Sequence, residues 1–198
     1  MINPESRTRE WIESLRTQYP YIKDASLLEK TIRAFSLLEA LARSGCPFIF
    51  KGGSSLMLHF GSSKRLSIDV DIICPPGTDI EKYWSMYAGD YGFTLVEAVD
   101  RIYRSDVPKT HAKCHYQVSY KTSSDIDTIL LDLLTEDNNY HAVESRPFRP
   151  FPTKPSTPRG RGHWQEMAKM ASLNQKKRYF NMTYQQIKDW MENYEIWD

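Results

Sequence analysis

Long apolar runs and closely spaced cysteines are both missing from this chain. No stretch approaches the roughly 20 consecutive apolar residues that a membrane-spanning helix needs. The opening residues, Met1 to Arg7, lack the apolar centre of a secretory signal, so the expectation is a soluble cytoplasmic protein with no membrane partner. Only three cysteines occur in 198 residues, Cys46, Cys74 and Cys114. Their odd number and wide spacing fit neither a disulfide framework nor a CxxC metal site, and buried, reduced thiols are expected. Internal repeats and low-complexity tracts are absent too. So is a strong overall charge, because the net value is only +1.

That near-neutrality hides an asymmetry. Residues 1–145 carry 16 Lys and Arg against 20 Asp and Glu, whereas residues 146–198 carry 10 against 5, so the two parts stand at −4 and +5. A polyanion should prefer the C-terminal part. Its basic residues, among them Arg146, Arg149, Lys154, Arg159, Arg161 and Lys176-Lys177-Arg178, are interleaved with Phe148, Phe151, Trp164, Tyr179 and Phe180. Such a mixture suits phosphates and stacked bases, and it equally suits a solvated loop whose aromatics pack on the core.

The pattern of the chain is α/β. Ser26 to Glu29 reads as a capping box, and Leu28, Ile32, Phe35, Leu38 and Ala42 recur at helical spacing until Gly45. Short strands are expected at Pro47–Lys51 and Ser67–Cys74, with a helix from Ser54 to Phe60 between them. Asp79–Ala88 reads as a surface helix, and Phe93–Val99, Lys113–Tyr120 and Thr128–Leu134 read as strands. Residues 145–162 hold five prolines and read as a long connection. Helices are expected beyond it, over Trp164–Leu173 and Thr183–Tyr194. The division that follows is a core over 1–145 with N-terminal helices, and a basic connection with C-terminal helices over 146–198.

The chemistry concentrates between Lys51 and Asp71. Side chains two apart on a strand share a side, so Asp69 and Asp71 can converge while Ile68, Val70 and Ile72 face the core. Two such carboxylates repel, and a hard divalent cation is the usual means of keeping both ionised. Gly52 and Gly53 permit a tight turn and close approach to a ligand, and a helix starting near Ser54 would aim free backbone N–H groups at phosphate oxygens. Ser54 and Ser55 add hydroxyls to this cradle. A third carboxylate, Asp132, stands in the apolar run Thr128-Ile129-Leu130-Leu131-Asp132-Leu133-Leu134, where its charge needs a partner. Asp125 and Asp127 form a rival D-x-D but follow a polar stretch and read as turn and cap residues. His111, Cys114 and His115 suggest zinc, yet Cys114 and His115 are neighbours and point to opposite faces of a strand, which leaves them structural roles. Lys51 and His59 lie close enough in sequence to touch a nucleotide, with solvated or core roles equally open.

Phe50-Lys51-Gly52-Gly53-Ser54-Ser55-Leu56 followed by Arg65-Leu66-Ser67-Ile68-Asp69-Val70-Asp71 resembles the signature of the AbiEii/MenT nucleotidyltransferase toxins, within the polymerase-β-like nucleotidyltransferase superfamily. The resemblance covers residues 25–135 and extends more loosely to the C-terminal helices. It implies an α+β nucleotidyltransferase core, a mixed sheet flanked by helices with a C-terminal helical extension. It also implies a toxin of a toxin–antitoxin system that transfers nucleotides from an NTP to RNA, the tRNA 3′ acceptor end above all. Asp69, Asp71 and Asp132 would then hold Mg²⁺ or Mn²⁺, and Lys51, Gly52, Gly53, Ser54, Ser55, Arg65 and Ser67 would line the nucleotide. Lys169 and Asp189 match the family's later lysine and aspartate; Glu192 stands three residues beyond Asp189, where the family carries a second aspartate. Ser67 would share a face with Asp69, and a cognate antitoxin that phosphorylated it would place negative charge beside the metal. Two alternatives stay open, a transferase acting on a protein or small molecule and a non-enzymatic binder of nucleotide or RNA.

Overall fold

The computed structural model describes residues 1–60, 66–99, 109–120, 124–140, 142–147, 152–153 and 167–171. A 3-10 turn at Pro4–Arg7 leads into α1 (Arg9–Gln18) and then α2 (Ala25–Arg43). Strand β1 (Ile49–Lys51) runs directly into α3 (Gly52–Phe60). There follow β2 (Val70–Cys74), α4 (Ile80–Ser85), β3 (Phe93–Val99), β4 (Lys109–Gln117), β5 (Ile126–Thr135), β6 (Val143–Pro147) and β7 (Met167–Ala171). The strands make one mixed sheet in the order β3-β4-β5-β2-β1-β7-β6. Strand β2 runs parallel to β5 and β1 parallel to β7; the other pairs are antiparallel.

Helix α2 is the organising element. It is buried over most of its length, with Leu28, Ile32, Phe35, Leu37, Leu38 and Leu41 essentially inaccessible, and it packs against the sheet where Phe50, Val70, Ile72, Ile129 and Leu131 are buried. Each such side chain contributes about 1.5–3 kcal/mol by leaving water. The helix ends at Arg43, and Gly45 at φ +76° carries the turn that follows. Cys46, Cys74 and Cys114 are free and buried.

Four local readings of the sequence change. The N-cap of α2 is Asp24, whose carboxylate accepts from Ser26 N at 2.8 Å and Leu27 N at 3.1 Å. Ser26 and Glu29 form no capping box, because Glu29 is buried and accepts from Ser119 N at 2.8 Å. Asp127 lies within β5 and pairs with Lys30 at 3.1 Å rather than capping a turn. Strand β4 occupies Lys109–Gln117, four residues earlier at its start than the alternation suggested. Lastly, the helix expected over Trp164–Leu173 gives way, at Met167–Ala171, to strand β7 between β1 and β6. The exposed backbone groups of β1 gain a parallel partner this way, and sheet pairing overrides the helical propensity of Met, Ala and Lys. The helix expected at Thr183–Tyr194 lies outside the described residues.

Candidate active site

One register row crosses the centre of the sheet. Lys51 on β1 stands opposite Asp71 on β2, Asp71 opposite Asp132 on β5, and Asp132 opposite His111 on β4. Residues aligned across neighbouring strands share a face. Two carboxylates therefore stand side by side with a basic side chain at each end. The adjacent rows, Phe50 with Ile72 and Val70 with Leu131, point the other way into the core.

Asp69 precedes β2 by one residue and is exposed, on the side that Asp71 shares. Partial burial, and then the negative charge of Asp132, hold its carboxyl above the usual carboxylate range, while Lys30 acts in the opposite sense. Asp69 and Asp132 thus feel one another, and Asp71 stands beside Asp132 in the register. Asp132 has about a third of its side chain exposed and contacts the buried His111 through Oδ1 and Nδ1.

The turn between β1 and α3 is shaped around these acids. Gly52 has φ +74°, and a Cβ there would lie within the Asp71 carboxylate, with Cγ at only 2.7 Å. Any other residue would be strained in backbone and would displace Asp71. Gly53 is close to Ser67, whose Oγ would lie 3.0 Å from a Cβ at that position. The hydroxyls of Ser54 and Ser55 are buried and turned inward. Ser54 Oγ donates to the Asp69 carbonyl at 2.6 Å and lies 2.9 Å from Ser67 Oγ; Ser55 Oγ donates to the Gly52 carbonyl at 2.8 Å. A hydroxyl has one proton, so Ser67 donates in the contact with Ser54. These serines tie the Gly-Gly turn to the segment bearing Asp69. Helix α3 starts at Gly52, on the turn that meets the Asp71 carboxylate.

The residue types suit a hard cation. Asp69, Asp71 and Asp132 supply carboxylate oxygens, and the Asp132 charge that adds to burial in raising Asp69 is one a divalent ion would offset. As the side chains stand, no group of three His, Cys, Asp or Glu residues converges as a metal site among the described residues.

The profile of the family described as "Nucleotidyl transferase AbiEii toxin, Type IV TA system" matches residues 36–159, more than half of the chain. The chain belongs to the AbiEii family. Two solved structures from Helicobacter pylori are similar to this AbiEii protein at 15% identity, JHP933 with a TM-score of 0.49 and a candidate nucleotidyltransferase with 0.46. Both matches cover 74% of this chain, which spans 54% and 56% of the two relatives. No curated protein matches.

Within the AbiEii match lie Lys51, Gly52, Gly53, Ser54, Ser55, Ser67, Asp69, Asp71 and Asp132, which the fold brings to one region. Lys169 falls on β7 opposite Ser145 rather than on a helix. Arg65 and Asp189 lie outside the described residues. His59 lies in the last turn of α3 and is only partly accessible. Sequence reasoning missed His111 as a neighbour of Asp132. The signal was faint, because only the register of β4 on β5 puts the two together, and the expected β4 began two residues past His111.

Proposed function

We propose that this AbiEii protein is the toxin of a toxin–antitoxin pair and transfers nucleotides from an NTP to RNA, with the tRNA 3′ acceptor end as its target. The observation that carries the reading is the register pairing of Asp71 with Asp132, directly against the tight turn at Gly52. In a phosphoryl-transfer site, paired carboxylates and a glycine turn at a helix N-terminus serve metal and phosphate respectively. Asp69, Asp71 and Asp132 would hold Mg²⁺ or Mn²⁺. When bound, the ion supplies charge neutralisation at the phosphates and lowers the pKa of the attacking hydroxyl.

The remaining roles belong to the chain. Backbone N–H groups of Gly53, Ser54 and Ser55 cradle the triphosphate, and Lys51 at the end of the row adds positive charge beside it. Asp132 receives the proton of the RNA 3′-hydroxyl, which attacks the α-phosphate in line as the bond to pyrophosphate breaks. Lys169 and Asp189 would neutralise and orient in the second half of the cleft, and Arg65 would add to the phosphate lining. A phosphate on Ser67 would break its contact with Ser54 and bring charge beside Asp69, a route by which an antitoxin could silence the site. The net +5 of residues 146–198 favours RNA over a small-molecule acceptor.

The test incubates the protein with Mg²⁺, each α-labelled NTP in turn, and total tRNA, beside Asp71→Ala. Label on RNA with the intact protein alone is the expected result. Label on the protein or a metabolite would replace RNA as the acceptor, and transfer by Asp71→Ala would remove the carboxylate site from the reaction.

A further inference from the structure

The acid row ends on His111, which lies outside the two sequence stretches that carry the resemblance, residues 50–56 and 65–71. His111 is nearly inaccessible, and its Nδ1 meets Asp132 Oδ1 across the β4–β5 pairing. A carboxylate accepts, so the imidazole nitrogen donates. The contact occupies one of the two carboxylate oxygens, and Asp132 Oδ2 takes no hydrogen bond from any described residue. Without such a donor, Asp132 beside Asp71 and within the field of Asp69 would swing its charge away from theirs. The imidazole is held in turn by the sheet, because its backbone is the third residue of a nine-residue strand and is paired on both sides, with Val99 on β3 and Asp132 on β5.

We propose that His111 is a positioning residue for nucleotidyl transfer: its Nδ1–H fixes the Asp132 carboxylate so that the remaining oxygen faces the Asp71 side and completes the divalent-cation site. The proposal rests on the reading of Asp69, Asp71 and Asp132 as that site. Groups that orient a ligating side chain through its second polar atom typically change metal affinity by about 10- to 100-fold when removed.

The experiment uses Asn and Leu at position 111, which share shape and differ in the donor; the Asn amide nitrogen falls near the Nδ1 position of histidine. Mn²⁺ binding to the full chain, without NTP or RNA, is followed by electron paramagnetic resonance, with thermal unfolding in EDTA as the measure of fold. Asp132→Ala is the control for the site. Expected is wild-type binding that Asp132→Ala loses, His111→Leu weaker by about 10- to 100-fold, and His111→Asn within about threefold of wild type, since it keeps the donor. Should His111→Leu fail to fold, His111→Gln replaces it, because its amide reaches the Nε2 position, and the same loss is expected. Equal Mn²⁺ affinity for the donor and non-donor variants, whether both unchanged or both weakened, overturns the proposal while Asp132→Ala still reports a sound site. Binding by Asp132→Ala equal to wild type overturns the site reading itself, and the role of His111 with it.

Discussion

Two groups of acids in this protein sit in opposite circumstances. Glu29 and Glu39 on α2 are buried and fully engaged: Glu29 accepts from Ser119 N and lies 3.6 Å from Arg33, and Glu39 accepts from Ile2 N at 2.8 and 2.9 Å and from Tyr91 Oη at 2.7 Å. Asp69, Asp71 and Asp132 lie instead at the centre of the sheet, on a partly accessible face and next to one another. A buried acid whose lone pairs are met by the protein ties segments together, here the N-terminal residues, α2 and the loop after β4. An acid left beside other acids carries an electrostatic cost that folding does not need, and such costs collect where chemistry is done. The difference separates fold from function more sharply than burial or residue type.

The comparison breaks most visibly if the two groups are exchanged in their effects. Asp71→Ala should lower transfer by about a thousandfold, the upper range for losing one electrostatic group at a reacting centre, while far-ultraviolet circular dichroism stays near wild type and the melting temperature in EDTA does not fall. Glu39→Leu should do the reverse. It strands Ile2 N and Tyr91 Oη, costing about 2–4 kcal/mol, seen as a lower urea midpoint, with transfer per folded molecule unchanged. Gly52→Ala joins the two regions, since it strains a left-handed backbone and invades Asp71; loss of transfer together with about 1–3 kcal/mol of stability is expected.

A subtler contrast concerns protons. Asp69 is held above the usual range by partial burial and then by Asp132. A raised carboxyl favours the folded state while protonated, and that stabilisation is lost as pH rises through its folded-state pKa. Asp132→Asn removes the second cause, so Asp69 should titrate lower by carbon-13 NMR and the loss of stability with pH should shrink. The smallest effect expected is at Cys114, whose thiol burial pushes up to about 12. It should resist iodoacetamide at pH 8 in the native protein and react once urea unfolds it, and reaction in the native state would contradict its burial.

The parts legible in the sequence were those set by local pattern. Helix α2 follows from its period and its glycine stop, and β2 and β5 from apolar runs in which Asp71 and Asp132 stand out as intrusions. What escaped was decided by pairing between distant segments. Asp24 caps α2 because Glu29 is claimed by Ser119 and Tyr120, 90 residues away or more. Met167–Ala171 becomes a strand because β1 lacks a neighbour on that side. His111 meets Asp132 only once the β4–β5 register is fixed. Glu39 looked like one more polar position on a helix, and nothing local announces that Ile2 and Tyr91 converge on it.

The claim that the acid row is a site held under repulsion until a cation enters is tested most directly by thermal unfolding of wild type and Asp71→Asn, each in EDTA and in Mg²⁺. The account predicts that Asp71→Asn melts higher than wild type in EDTA, by about 2–4 °C for each kcal/mol of repulsion removed, and that Mg²⁺ raises the wild type but not the variant. Equal stabilisation of both proteins by Mg²⁺, or an Asp71→Asn variant that melts lower than wild type in EDTA, would contradict it.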